Sequence, residues 1–346
     1  MSDILLRELS NADIDWMVTT GERQQLDEGA PLIVPGDILE GLYLVLEGQF
    51  AMSAPCSGRE FAQLARGDIL GAGWLFNTGT VSVISAKSKA IVLSIPKAAL
   101  LKKLKADMSF ASHFYRAIAL IMSERIRQQF EAVSGKSELL RYQSGQMVKE
   151  ALFVFGELHD SDMDWMLRAG QVERIPANSV LLHMGRPVDA LYTVLDGQLT
   201  IATTDTPYDP FSGCSHALST QSQAFSPLAF IARGGLPGII SFLDFKPLPV
   251  KIYATRESKV LSIPRQKMVI KLQEDLSFAA RFYRVIATQT ANLLASVTAT
   301  ECRSDSADST SDDSALDDEL DMETLQRASE GGKKFDWMLK RLRVEA

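Results

Sequence analysis

The chain has 346 residues, 46% of them hydrophobic and 23% charged, with a formal net charge of −7. That length fits two domains of about 150 residues and a tail, and no apolar run reaches the roughly 18 residues of a membrane-spanning helix. The opening MSDILLRELS lacks an export pattern, and Cys56, Cys214 and Cys302 are too few and scattered for a disulfide framework, so the expectation is a cytoplasmic chain without a transmembrane segment.

A short helix is predicted around Asp15-Trp16-Met17. Strands follow at PLIVPGD (31–37), GLYLVLEG (41–48), QFAMSA (49–54), EFAQLARGD (60–68), SVISAKS (82–88) and AIVLSIP (90–96). Turns separate them about every ten residues, the spacing of a sandwich or barrel rather than a parallel sheet. Pro96 fits the first turn of the next helix, where its missing N–H costs nothing. Beyond it Leu100, Leu101, Leu104, Phe110, Phe114, Ile118 and Ile121 recur at steps of three and four, a helical stripe.

The whole order then repeats. ELSNADIDWM (8–17) returns as ELHDSDMDWM (157–166), and GLYLVLEGQF (41–50) as ALYTVLDGQL (190–199), both at an offset of 149. LARGDILGAGWLF (64–76) returns as FIARGGLPGIISFL (230–243), VLSIP (92–96) as VLSIP (260–264), and DMSFASHFYRAIA (107–119) as DLSFAARFYRVIA (275–287), now at 167 or 168. A folding unit has been duplicated. The extra residues of the second copy fall in 203–223, a Ser-, Thr-, Pro- and Asp-rich stretch that reads as an elongated loop. The expected domains are 1–134 and 157–300, joined by a helical connector at 135–156.

The tail divides by charge. Residues 301–323 carry ten carboxylates against Arg303 alone, which leaves the two copies near neutrality and weakens any case for nucleic-acid binding by bulk charge. Residues 301–332 are expected to be a disordered acidic linker. Beyond it, 333–346 returns to helical patterning: Phe335, Met338, Leu339 and Leu342 fall on one face, ringed by Lys333, Lys334, Lys340, Arg341 and Arg343. Asp336-Trp337-Met338 is a third DWM, so three of the four tryptophans sit in this tripeptide. We expect this helix to be a partner-binding element through Phe335, Trp337, Met338, Leu339 and Leu342. It docks where a DWM helix packs, in cis or on another subunit, or it addresses the chain to a protein partner or assembly. A tether raises the effective concentration of such a helix.

The L-Y-x-V-L-x-G phrase, the R-G-D-x-x-G phrase from Arg66 to Gly71, and the strand ending in Ser-Ile-Pro together resemble the cyclic-nucleotide-binding domain. That domain is the effector module of catabolite-activator-like regulators and of cyclic-nucleotide-gated kinases and channels. The resemblance covers about residues 8–132 and 157–298. It implies an α+β, mainly β fold: two β-roll or jelly-roll domains, each flanked by helices. It also implies a phosphate-binding cassette, in which a Gly-Glu pair opens a short helix toward the cyclic phosphate. The Glu binds the ribose hydroxyl, and an Arg about ten residues later pairs with the phosphate.

Both copies depart from that cassette. Gly-Glu is Gly71-Ala72 in the first and Gly238-Ile239 in the second, and the Arg position falls near Thr80 and Leu248. A hydrogen bond to a charged group is worth about 1.5–3 kcal/mol, so losing the Arg alone weakens binding about ten- to hundredfold. Conventional cyclic-nucleotide binding is therefore not expected. Gly71, Ala72 and Gly73 are the candidate backbone cradle for another anion, and Ile239, Ile240 and the 248–250 run make the second pocket apolar.

No catalytic or metal-ligating constellation stands out among His113, His159, His183, His216 and the cysteines, and no cofactor is expected. His113 is read as a surface or interhelix residue. No basic recognition helix follows either copy, which argues against direct DNA binding. The stripes at Phe110–Ile121 and Phe278–Ile286 suit a homodimer through the long helices or an internally paired monomer. The leading expectation is a non-enzymatic regulatory or scaffold protein, and the alternative is a small-molecule sensor of altered specificity.

Overall fold

The computed structural model describes residues 4–53, 55, 58, 60–76, 82–133, 155–204, 225–304 and 322–344. Thr80, residues 134–154, residues 205–224 and residues 305–321 lie outside them. With these go most of the expected connector, nearly all of the 203–223 insert, and the centre of the acidic stretch.

The first copy opens with α1 (Ile4–Glu8) and α2 (Asn11–Thr20). Ser10 and Asp13 start α2 with a capping box: the Asp13 N–H donates to Ser10 Oγ at 3.2 Å, and the Ser10 N–H donates to Asp13 Oδ2 at 2.9 Å. Eight strands follow: β1 (Glu22–Leu26), β2 (Pro31–Ile33), β3 (Gly41–Glu47), β4 (Gln49–Ser53), β5 (Glu60–Ala65), β6 (Ile69–Leu70), β7 (Val83–Ala86) and β8 (Ala90–Pro96). A 3-10 helix, Ala72–Phe76, interrupts them. They form two antiparallel sheets, β1-β8-β3-β6 and β2-β7-β4-β5. Ile33, Phe50, Leu64 and Ile84 from one sheet meet Val45, Leu70 and Val92 from the other in a shared core. Alternation along each strand supplies that inner face.

The glycine of the repeated phrase has a steric cause. Gly48 stands at φ +87°, and a Cβ there would lie 2.7 Å from Ala90 Cα. Gly197 stands at φ +95°, with Ser258 Cα 2.6 Å from the same position. Only a residue without a side chain turns the chain this close to the neighbouring strand.

Pro96 is the last residue of β8 and the N-cap of α3 (Lys97–Ala106), one position earlier than the sequence reading places it. The stripe beyond it is broken at Asp107, where α4 (Met108–Val133) begins. Asp107 Oδ1 accepts the Phe110 N–H at 3.0 Å, and Lys103 Nζ lies 2.7 Å from Oδ2. The Lys103 bond, then the Phe110 N–H, hold this carboxyl below its ordinary pKa against the desolvation that raises it.

The second copy repeats the plan with α5 (Asp160–Ala169) and strands β9 (Gln171–Ile175), β10 (Val180–Leu182), β11 (Ala190–Asp196), β12 (Leu199–Thr204) and β13 (Phe225–Ile231). Thr203 and Thr204, read as the start of the insert, end β12. The copy continues through α6 (Ile239–Asp244), β14 (Lys251–Ala254), β15 (Ser258–Pro264), α7 (Arg265–Glu274) and α8 (Leu276–Ser304). The sheets are β11-β15-β9 and β10-β14-β12-β13. The last helix, α9 (Met322–Arg341), starts well before residue 333, inside the stretch read as a linker. The carboxylate run ends at Glu323, and Leu325, Gln326, Arg327, Ala328 and Glu330 are good helix formers. Gln326 Nε2 donates to Glu330 Oε1 at 3.3 Å along the helix. No described helix is long and apolar enough to cross a membrane.

The chain divides into two units, Met1–Ile126 with Ala279–Asp313, and Arg127–Phe278 with Ser314–Ala346. Within the first, Phe110, Phe114, Ile118 and Ile121 of α4 are buried, as are Phe282, Val285 and Ile286 of α8. Arg116 lies over the Tyr283 ring at 5.8 Å, and Thr290 Oγ1 is 3.9 Å from Met122 Sδ. The two long helices therefore meet inside one chain, through Arg116 with Tyr283 and Met122 with Thr290. Within the second unit, α9 packs on the α5 region: Phe335 meets Phe155 with ring centroids 4.9 Å apart, and Lys334 Nζ donates to Leu158 O at 2.6 Å.

Candidate functional site

The first cassette begins at Asp68. This carboxylate is buried; Oδ2 accepts the Ala65 N–H at 2.8 Å, and Oδ1 lies 3.4 Å from Arg125 Nη2. The same nitrogen donates to Ile69 O at 3.0 Å. Burial pushes the Arg125 guanidinium below its ordinary pKa, and Asp68 opposes that shift. Asp68 of the R-G-D phrase thus ties α4 to the turn before the cassette. Arg125 lies 57 residues beyond Asp68, and no sequence signal joined them.

Gly71 follows at φ +75° and opens the 3-10 helix. Ala72 is buried and Gly73 half-buried. The Trp74 indole donates to Gly41 O at 3.0 Å, and Lys97 Nζ stacks 5.0 Å from its ring. Tryptophan, absent from the matching position of the second copy, thereby fixes the cassette turn to β3 and to the start of α3.

In the second copy Gly238 stands at φ +74° and opens α6. A Cβ there would be 2.5 Å from Leu182 Cδ1. Ile239 and Ile240 are buried, and Leu248, at the expected Arg position, is 1% exposed. Leu248 is locked by its backbone: Gly185 N–H donates to its carbonyl at 2.8 Å, and its own N–H donates to Arg186 O at 3.0 Å. Ser241 Oγ accepts the Val188 N–H at 3.2 Å and donates to Lys246 O. Arg265 packs over the rings of Phe242 and Phe245 at 5.3 and 4.7 Å and donates to Phe242 O.

Arg127, which belongs to this unit, closes the far end of the cassette. Nη1 donates to Pro247 O at 2.5 Å, and Nη2 reaches Ile240 O at 3.4 Å and Asp244 Oδ1 at 2.8 Å. It thereby joins the first turn of α6, through Ile240 O, to the segment just beyond the helix, through Pro247 O. Sequence reasoning missed it because an arginine on a helix of the first copy carries no mark of its target more than a hundred residues on.

Ala72 in the first copy, and Ile239 and Leu248 in the second, are buried at positions where the resemblance expects a Glu and an Arg. Thr80, at the Arg position of the first copy, lies outside the described residues. Gly238 and Ile239 belong to the buried run that opens α6.

The five predicted partner residues separate. Phe335, Met338 and Leu339 are buried within the second unit, Leu342 is half-buried, and Trp337 is 41% exposed. The stripe is therefore covered in cis, and only Trp337 of its large rings faces outward. His113 Nδ1 lies 2.8 Å from Asp13 Oδ2, joining α4 to α2 in the interhelix role its position suggested.

A family model, the cyclic nucleotide-binding domain, matches residues 23–107 and 172–275, more than half of the chain. Among solved structures the chain is similar to the regulatory domain of Toxoplasma gondii PKA crystallised with cAMP. Identity is 14% over 80% of this chain and 89% of that one, with a TM-score of 0.28. It is similar also to the regulatory subunit of a cAMP-independent protein kinase A from Trypanosoma cruzi bound to guanosine (13%, 80% and 86%, 0.28). A third is the Thermus thermophilus catabolite activator protein (19%, 50% and 75%, 0.32). At these TM-scores the three structures add no argument to the family match. No curated protein matches the chain.

Proposed function

This chain belongs to the cyclic nucleotide-binding domain family, and from that premise we propose that it is a non-enzymatic regulatory adaptor. Its two pockets have given up conventional cyclic-nucleotide binding, and it recruits a protein partner through its C-terminal helix, in the cytoplasm and without touching DNA itself. The observation that carries this reading is the second cassette. Ile239 and Leu248 are buried at the positions where the family's cassette carries its Glu and Arg, and Arg127 holds the cassette's far end from within the unit. Supporting it, Phe335, Met338 and Leu339 anchor α9 while its other face stays open.

Calorimetric titration of the full chain with cyclic mono- and dinucleotides tests it. The expected result is no saturable heat below about 1 mM, the limit at which the binding free energy is only about −4 kcal/mol. Submillimolar binding that disappears in Gly71→Val would overturn the reading in favour of a sensor built on Gly71–Gly73, whose positive φ at Gly71 opens the first cassette helix.

A further inference from the structure

The DWM tripeptide occurs three times, and the fold treats its tryptophan in two ways. In α2, Trp16 lies edge-on to Phe110 at 5.1 Å, with Lys103 Nζ 5.8 Å from its centroid. In α5, Trp165 tilts onto Phe278 at 5.7 Å, with Lys271 Nζ at 5.9 Å. Each lysine is held by a carboxylate, Asp107 or Asp275, at 2.7 Å. The methionine keeps one role throughout, since Met17, Met166 and Met338 are all buried. Trp337 alone departs: it is 41% exposed where Trp16 and Trp165 are half-buried, and among the described residues no ring or cation stacks on it.

Its surroundings differ in charge as well. Lys333, Lys340 and Arg341 lie four residues before, three after and four after Trp337, which places them around it on one helical face. All three are exposed. At Trp16 and Trp165 the covering element brings the cation; here the helix itself supplies it, so the covering element should bring the carboxylates.

We propose that this face of α9, Trp337 ringed by Lys333, Lys340 and Arg341, docks an acidic protein segment that carries an aromatic side chain. The proposal rests on the reading of α9 as the recruiting element and gives its partner a chemistry. The aromatic is argued from the two covered tryptophans of the same chain, the acidity from the charge of the open face. A tryptophan bordered by Arg and Lys is the composition of an interface hot spot with a polar rim. A lipid surface is disfavoured because the rest of the apolar stripe is already buried, and one indole is too little area for an interfacial helix. The chain's own residues 305–321 supply carboxylates but no aromatic.

The test is fluorescence anisotropy of a labelled synthetic peptide of Asp, Glu and Ser with one central Phe, titrated with the full-length protein. Saturable binding that weakens with salt is expected. Trp337→Ala, the triple variant Lys333→Glu/Lys340→Glu/Arg341→Glu, and a Phe→Ala peptide should each lower affinity about tenfold or more. Circular dichroism checks that the variants fold. Equal binding of the Phe and Ala peptides, or unchanged binding by the variants, overturns the proposal. So does binding only to phosphatidylserine vesicles, or a self-association that Trp337→Ala abolishes without peptide. The two substitutions separate the two levels: if both keep wild-type binding, the recruiting role of α9 fails, and if only the triple charge variant loses it, only the Trp337 contact fails.

Discussion

The Arg127 guanidinium sits 2.8 Å from Asp244 Oδ1, and their side chains are 8% and 9% exposed. Such a pair is a poor stabiliser in net terms, because desolvating both charges offsets most of their attraction. Breaking it from one side is another matter. Arg127→Ala strands the Asp244 carboxylate and frees Pro247 O and Ile240 O at once. We expect a loss of about 3–5 kcal/mol, measured by urea unfolding. Arg127→Met, which keeps the packing of the stem, should lose less than Arg127→Ala. An equal loss would mean that the charge, which both variants remove, outweighs the packing of the stem, which only Arg127→Ala removes.

Asp13 supplies a pH dependence with a defined sign. Burial pushes its carboxyl up, but the His113 bond, the Ser10 hydroxyl and the Ser10 N–H outweigh burial and hold it below its ordinary value of 3.8. A group whose folded pKa is depressed stabilises the fold above its unfolded pKa and loses that contribution as pH falls through the folded one. Asp13→Asn keeps a cap acceptor and loses the charge. At pH 7 it should be less stable than wild type by about 1.5–3 kcal/mol, and the gap should close as pH drops below 3.8. Thermal unfolding across pH 2–7 reads this; a gap independent of pH would refute it.

The glycines of the repeated phrase make a paired prediction. Gly48→Ala would bring Cβ to 2.7 Å from Ala90 Cα and Lys89 O, and Gly197→Ala would bring it to 2.6 Å from Ser258 Cα. Both also sit at positive φ. Strain of this kind costs about 1–3 kcal/mol before any backbone shift. Each variant should unfold at lower urea than wild type, and Gly29→Ala, also at positive φ but with open space around it, should lose less.

How much of this was legible follows from the range of each interaction. Most strands, the turn glycines and the DWM helices read out locally, because alternation, Gly and capping residues act over a few positions, whereas polar, exposed β1 and two-residue β6 carried no such pattern. The helix break at Asp107 was hidden because the apolar stripe runs across it, although an Asp before Ser-Phe, followed again at Asp275, carried the signal of a cap. The loss of Glu and Arg from the cassettes was visible at Ala72, Ile239 and Leu248. What fills the second cassette was not, since Arg127 meets Asp244 across 117 residues. Nor did the pattern of α9 show which of its apolar residues face inward: Phe335, Met338 and Leu339 share a stripe with Leu342, and tertiary packing decides how far it is covered.

That packing gives the last prediction. Met338 is 0% exposed and lies between Phe335 and Leu342 on the face turned to the second unit, while Trp337 next to it points away. Met338→Ala removes a fully buried side chain and should destabilise this unit by about 2–5 kcal/mol, depending on how far the site collapses. Trp337→Ala touches an outward ring and should stay within about 0.5 kcal/mol of wild type. Hydrogen exchange localises the difference: amides of α5 should lose protection in Met338→Ala and keep it in Trp337→Ala. If both variants leave α5 unchanged, α9 does not dock in cis in solution, and its apolar stripe returns as the surface offered to a partner.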